Sequence, residues 1–163
     1  MTDLMMHKME LLGLVAGYRN KLALSKTVGP DYYEPGMMEN LDQYLGEYDE
    51  DRKRIMIRCE SKGLRYENRT QNLERITVGQ SVQILRDHNN VFNSNNFAIN
   101  SENDASLGYL PAELCNAMGP LYDAGCLEIC SAQAAYIEQL AERSRYAKQG
   151  VLFVEMVLQL KGI

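Results

Sequence analysis

The sequence predicts an α+β domain. Its fold is mainly β, arranged as a small barrel or sandwich, with flanking helices. Three observations support this prediction. Short segments of alternating apolar and polar residues begin after Lys53, a short helical segment follows Pro111, and residues 3–24 carry a helical period. The chain has 163 residues and is 45% hydrophobic, which suits one domain with an appendage.

Residues 3–24 are predicted to form a helix that Thr2 or Asp3 can cap. The large apolar residues of this segment recur with a period near 3.6 and therefore fall on one face: Leu4, Leu11, Val15, Tyr18 and Leu22. After two prolines and two glycines in residues 29–36, a second helix is predicted at 37–48. Its Met/Tyr stripe predicts packing against the main domain or, as the alternative, a contact with a partner or a second copy.

We expect two parts: a helical appendage with an acidic linker at residues 1–50, and the β domain at 51–163. Residues 1–53 carry 10 acidic and 6 basic side chains, whereas residues 54–163 carry 12 and 11. The negative charge is therefore concentrated in the first third of the chain, where a solvated acidic linker is the expected explanation.

The β domain is predicted from short strands around "RIMIRCE", "SVQILRD", "NNFAIN", "LGYLP", "CLEICSAQ" and "VLFVEMVLQL". A helix starts at Pro111, ends at Gly119-Pro120, and is followed by one further helical turn closed by Gly125. Residues 132–150 are ambiguous. Their propensities favour a helix, whereas their position between two strands favours a long strand, a basic loop and a return.

Composition narrows the function classes. The net charge of −5 and the pI of about 5.1 argue against a strongly electrostatic nucleic-acid binder, but leave room for a local basic face. The sequence has no phosphate-binding glycine loop and no set of metal ligands, and its two histidines suggest no catalytic triad. We therefore expect a non-enzymatic protein without a cofactor. No signal peptide or membrane helix is evident, so a cytoplasmic location is expected.

The four cysteines are not spaced like a secreted disulfide framework. Cys126 and Cys130 are four residues apart on a predicted strand, which separates them by about 13 Å. That distance is too long for one disulfide or one zinc ion. Small buried thiols are the expected role of all four cysteines.

The asparagine-rich stretch 86–100 allows two interpretations. In the first, Asn90, Asn93 and Asn95 bond their own backbone and hold an irregular turn. In the second, the stretch is a binding loop, with Arg86 at its entry, Phe92 in its middle, and Tyr109 nearby if the strands pair.

Four linked motifs resemble the HIRAN domain, and the chain would be a stand-alone member of the bacterial type. The resemblance covers roughly residues 54–160. The motifs are "LRD" at 85–87, "NVFNSN" at 90–95, "LGYLP" at 107–111 and "LYDAG" at 121–125.

The resemblance implies an OB-like small β-barrel with flanking helices, here with an N-terminal helical appendage. It also implies binding of single-stranded DNA at a free 3′ end, where an aromatic residue stacks on the terminal base and an acid holds the 3′ hydroxyl. Phe92 matches the aromatic, and Asn93 stands where the family has the acid. The first strand departs from the family because it lacks the glycine and the aromatic pair that cradle the base.

Our leading hypothesis is a module that binds single-stranded DNA, with the 3′ end as the recognition feature that the resemblance implies. The alternative is a protein-interaction or self-association module that uses residues 1–50. Stacking faces and cations are the chemistry that single-strand binding needs. The expected nucleic-acid-binding residues are Arg58, Arg86, Asn90, Phe92, Asn93, Tyr109, Arg143 and Arg145.

Overall fold

The computed structural model describes residues 2–25 and 38–163. Its helices are α1 (Asp3–Ser25), α2 (Arg69–Leu73) and α3 (Ala112–Asp123), with 3₁₀ helices at Met38–Gln43 and Leu140–Glu142. Its strands are β1 (Leu45–Asp49), β2 (Arg54–Glu60), β3 (Val82–Asp87), β4 (Asn96–Ser101), β5 (Ser106–Tyr109), β6 (Leu127–Glu138) and β7 (Val151–Leu160).

The described strands form two antiparallel sheets. One has the order β1-β2-β7-β6 and the other has the order β3-β4-β5. Two isolated bridges join the sheets, Ser81 with Gln133 and Lys62 with Tyr109. The predicted mainly β fold with helices is confirmed, whereas the closed barrel is not, since the described strands leave two separate sheets.

The alternation predicted for the first strand of the β domain is present in β2. Ile55 and Ile57 are completely buried, while Arg54 and Met56 face outward. β7 is the most apolar strand and lies between β2 and β6, so its side chains supply the centre of the core.

Helix α1 confirms the helix predicted at 3–24 and packs against the sheets. Leu11, Val15 and Tyr18 are buried in the same core as the strands. The helix lies so close to β1 that a Cβ at Gly46 would collide with the Val15 carbonyl. No helix in the described ranges is both long and apolar enough to cross a bilayer.

The helix predicted at 37–48 is wrong for its described part. Residues 38–43 form a 3₁₀ helix, and residues 45–49 form β1, which pairs with β2 from Leu45–Arg58 to Asp49–Arg54. Residue 37 lies outside the described residues. The edge of β2 offers backbone hydrogen bonds that outweigh the helical spacing of the apolar residues. The boundary predicted between residues 50 and 51 stays a prediction.

In the second half of the chain, one prediction is wrong and one open alternative is decided. Helix α3 continues through Gly119 and Pro120 to Asp123, although Pro120 has no N–H to donate to the preceding turn. The ambiguous segment 132–150 adopts the second arrangement: β6 continues to Glu138, and a loop with a 3₁₀ turn returns to β7.

The prediction of buried thiols holds for two cysteines and fails for Cys130. Cys59 and Cys115 are buried, and burial raises their thiol pKa to about 12 and about 11. Cys126 is partly buried just before β6, and Cys130 is exposed where the register of β6 shifts between Ile129 and Ser131. An irregularity of this kind turns a side chain away from the face that strict alternation predicts.

Candidate functional site

A groove of about 950 Å³ opens where the two sheets meet. One wall is the turn after β2 and the other is the loop after β3. Its volume lies within the range of small-ligand pockets. The described lining residues lie on turns, at strand ends or at the start of α2: Lys62, Gly63, Tyr66, Glu67, Arg69, Asp87, Asn89, Asn90, Val91, Phe92 and Tyr109.

Three aromatic side chains line this groove. Phe92 is 95% exposed and Tyr66 is 58% exposed, while Tyr109 is half-buried. Exposing a whole phenylalanine ring to water is unfavourable, and exposed apolar surface of this kind marks interaction sites. The groove therefore offers flat faces to a planar group.

The loop between β3 and β4 is held by its own asparagines. The Asn90 Oδ1 accepts hydrogen bonds from the N–H groups of Phe92 (2.9 Å) and Asn93 (3.0 Å). The Asn93 Oδ1 accepts a bond from the Asn95 N–H at 2.9 Å, and the Asn93 amide donates to Asn116 Oδ1 on α3 at 3.0 Å. The first interpretation of this stretch, an asparagine-held turn, therefore describes its local structure.

Asn93 contributes to loop geometry rather than to the groove wall. Both ends of its amide are engaged, and it is not among the described lining residues. The predicted contact of Asn93 with a terminal sugar has no support from this geometry.

Arg86, predicted to contact nucleic acid, is engaged inside the protein. Its side chain is only 7% exposed, and it donates two hydrogen bonds to the Asp123 carboxylate, at 3.0 and 2.9 Å. A third nitrogen donates to the carbonyls of Ser94 (2.7 Å) and Asn96 (3.2 Å). The guanidinium thereby lowers the pKa of Asp123 and ties α3 to both ends of the loop. A phosphate contact would require these bonds to break.

Arg69 is the buried centre of the opposite wall and is 4% exposed. Its guanidinium donates to Ser106 Oγ at 2.9 Å and to the Gly63 carbonyl at 3.0 Å. The same group donates to the Tyr109 hydroxyl at 2.9 Å and to the Glu67 carboxylate at 2.8 Å. Its Cζ lies 4.6 Å from the Tyr109 ring centroid. Arg69 therefore positions the aromatic face of Tyr109.

The Lys62–Tyr109 bridge connects the turn after β2 with β5 of the other sheet. The N–H of each residue donates to the carbonyl of the other at 2.9 Å. Gly108 makes this approach possible because its φ is +103° and a Cβ there would collide with the Lys62 carbonyl and the Ser61 hydroxyl. Ser61 also donates to the Leu107 carbonyl at 2.6 Å. The turn after β2 is thus fixed to β5.

Arg58, Arg143 and Arg145 are not among the described lining residues of the groove. Arg58 lies on β2 beside Glu155 of β7, at 3.5 Å. Arg143 donates to the Gln149 carbonyl at 2.9 Å, and Arg145 donates to the Tyr146 hydroxyl at 2.8 Å. Their predicted phosphate contacts stay predictions.

Of the eight predicted site residues, the groove contains Asn90, Phe92 and Tyr109. The eight leave out four other residues that line the groove, Lys62, Tyr66, Arg69 and Asp87. The sequence signal near this wall is Gly63, which has a φ of +83°, a conformation that glycine adopts readily.

The HIRAN domain family matches residues 55–153. Solved structures with a similar fold include the crystal structure of the human HLTF HIRAN domain. It is 20% identical, with 64% of this chain and 76% of that chain covered and a TM-score of 0.46. A crystal structure of a Lactobacillus plantarum protein is 19% identical, covers 61% and 90%, and has a TM-score of 0.48. The NMR structure of the HLTF HIRAN domain in its DNA-bound conformation is 19% identical, covers 77% and 86%, and has a TM-score of 0.41. No curated protein matches the chain significantly.

Proposed function

Because this chain belongs to the HIRAN domain family, we propose that its groove binds single-stranded nucleic acid, and single-stranded DNA in particular. The observation that carries the proposal is the 95% exposed Phe92 ring, held by a bonded loop at the edge of a groove that also contains Tyr66 and Tyr109. Base stacking on an aromatic side chain contributes about 1–3 kcal/mol per base.

The cations of the groove supply the second half of this chemistry. Lys62 and Arg69 lie on the same wall as Tyr66 and Tyr109. A backbone phosphate near them keeps the adjoining base within reach of the aromatic faces. This local pair of cations reconciles phosphate binding with a chain whose net charge is −5.

Recognition of a 3′ end is the finer part of the proposal. Asn93 is occupied by the loop, so the carboxylate of the loop wall that can accept a hydrogen bond from a 3′ hydroxyl is Asp87. Its oxygens accept from the Asn89 N–H at 3.1 Å and the Asn96 amide at 3.4 Å, and each keeps a lone pair. A terminal phosphate in the same place would meet like charge.

Fluorescence anisotropy with short labelled DNA tests both single-strand binding and 3′-end recognition. We expect single strands to bind more tightly than duplex, with affinity falling as salt rises. We also expect a 3′ hydroxyl to be preferred over a 3′ phosphate. Equal binding of the two ends would remove end recognition and leave single-strand binding. No binding of either strand by folded protein would refute the proposal.

A second candidate function is self-association or protein binding through residues 1–50. The observation that favours it is the outer face of α1, where Met5, Met6 and Met9 are 47%, 48% and 58% exposed. The stripe predicted at 37–48 packs inward instead, since Leu41 is buried and the Tyr44 ring contacts Phe153 with centroids 5.0 Å apart. Light scattering of wild type and Met9→Glu tests this function: an unchanged monomer in both would exclude self-association through α1.

A further inference from the structure

We infer that Arg69 is a phosphate site of the groove, and that the Glu67 carboxylate occupies it in the free protein. The inference rests on the proposed function and adds to it a defined phosphate subsite and an internal competitor for that subsite. It is drawn from the hydrogen bonds and the exposure of the two side chains.

Arg69 is fixed independently of Glu67. Three neutral acceptors hold its guanidinium: the Ser106 hydroxyl, the Gly63 carbonyl and the Tyr109 hydroxyl, at 2.9, 3.0 and 2.9 Å. None of these contacts neutralises its charge. A buried cation that needs an anion is therefore present in the groove wall whether or not Glu67 is there.

Glu67 is the opposite kind of partner. Its side chain is 74% exposed, and within the described chain its only ion pair is with Arg69, at 2.8 Å. Its backbone has a φ of +56°, in the left-handed region that glutamate seldom adopts. An exposed carboxylate on a surface turn can move into water at little cost. In this ion pair, Glu67 can therefore be displaced, whereas Arg69 stays in place.

A phosphate is the ligand that fits the vacated position. Carboxylate and phosphate oxygens accept the same charge-assisted bonds from guanidinium. Both Arg69 and Glu67 line the groove together with Phe92 and Tyr109. A phosphate that replaced Glu67 would therefore leave its nucleotide among the aromatic faces. Arg69 would keep its three other bonds during the exchange.

The consequence is an unusual direction of effect: removing an acidic residue from the site should strengthen binding. The test variant is Glu67→Gln, which removes the competing charge but keeps an oxygen that can accept from Arg69. The matched control is Glu102→Gln in the exposed turn between β4 and β5, because it changes the net charge equally outside the groove.

Anisotropy titrations with a single-stranded DNA oligonucleotide should show about fivefold tighter binding by Glu67→Gln than by Glu102→Gln at low salt. In NMR spectra, the Arg69 Nε–H signal should shift on addition of the oligonucleotide.

Equal affinities of the two variants for DNA would overturn the Glu67–phosphate exchange and leave the proposed function intact. An Arg69 signal that stays in place while loop signals around Phe92 shift would do the same. Failure of all three proteins to bind DNA would instead refute the proposed function, and this inference with it.

Discussion

Arg86 and Asp123 form a two-bond ion pair that connects the end of β3 to the end of α3. Its nitrogen–oxygen distances are 3.0 and 2.9 Å, and the Arg86 side chain is 7% exposed. Arg86 also donates to the Ser94 and Asn96 carbonyls, so it holds the loop that carries Phe92. We expect Arg86→Gln to lower the free energy of unfolding by about 2–3 kcal/mol, since these acceptors lose a charged donor. Urea denaturation monitored by circular dichroism measures this loss, and unchanged stability would show that the pair is replaceable.

The same pair predicts a pH dependence. The hydrogen bond from Arg86 lowers the folded-state pKa of Asp123 below its ordinary value of 3.8. The stability that Asp123 contributes is therefore fully present above that ordinary value and is lost as pH falls through the lower, folded pKa. Wild type should be more stable than Asp123→Asn at neutral pH, and the margin should shrink as pH falls below about 4. A margin independent of pH down to pH 2 would contradict this assignment.

A substitution at Phe92 should change ligand binding without changing the stability of the fold. Its ring is 95% exposed, so Phe92→Ala removes almost no buried surface and should leave the melting temperature unchanged. The variant should lose about 1–3 kcal/mol of affinity for a single-stranded oligonucleotide. Tyr146→Ala is the matched control, because Tyr146 is 73% exposed outside the described groove lining. Equal affinities for the two variants would argue against stacking on Phe92.

The asparagine turn predicts a smaller effect. Asn90→Ala removes the acceptor for the N–H groups of Phe92 and Asn93, so the loop must be ordered when the ligand binds. We expect a loss of about 1 kcal/mol in affinity, since a net hydrogen bond contributes about that much. Asn103→Ala, in the exposed turn between β4 and β5, serves as the control. Isothermal titration calorimetry should report the loss for Asn90→Ala and none for the control.

Gly108 is required by the close approach of β5 to the turn after β2. Gly108→Ala would place a methyl group against the Lys62 carbonyl at a φ of +103°. The strain should cost at least about 1–3 kcal/mol of stability. Gly79→Ala, with a φ of +92° and open space around its Cβ, is a control for the dihedral angle alone. Equal losses for the two variants, measured by urea denaturation, would show that the collision contributes nothing.

The sequence predicted the parts of this fold that local patterns encode. The period of α1 and the alternation of β2 are properties of neighbouring residues, and both are confirmed. Residues 45–48 were assigned to a helix because their apolar spacing suits a helix as well as a strand, and only pairing with β2 decides between them. Pro120 likewise marks a helix end in most contexts, but α3 is held through it by packing.

Residues of the candidate site could be predicted from the sequence only where they belong to one continuous segment. Phe92 and Asn90 belong to a single loop with a recognisable motif. Arg86 was assigned to phosphate binding because the sequence does not reveal that Asp123 lies 3 Å away. Arg69 is absent from the expected site because its place in the groove depends on contacts with Tyr109 and Ser106, which come from a distant strand.

The bridge between Lys62 and Tyr109 makes the groove a product of the whole assembled fold. One wall follows a strand of the first sheet and is pinned to a strand of the second, so the groove forms only when the two sheets are assembled. Occupancy and global stability are therefore linked, because a ligand that binds only the folded state stabilises all of it. Oligonucleotide at 100 times its dissociation constant should stabilise the protein by about 2.7 kcal/mol. A thermal melt of unlabelled protein thus becomes a binding assay, and a truncation that separates the two sheets should abolish its response.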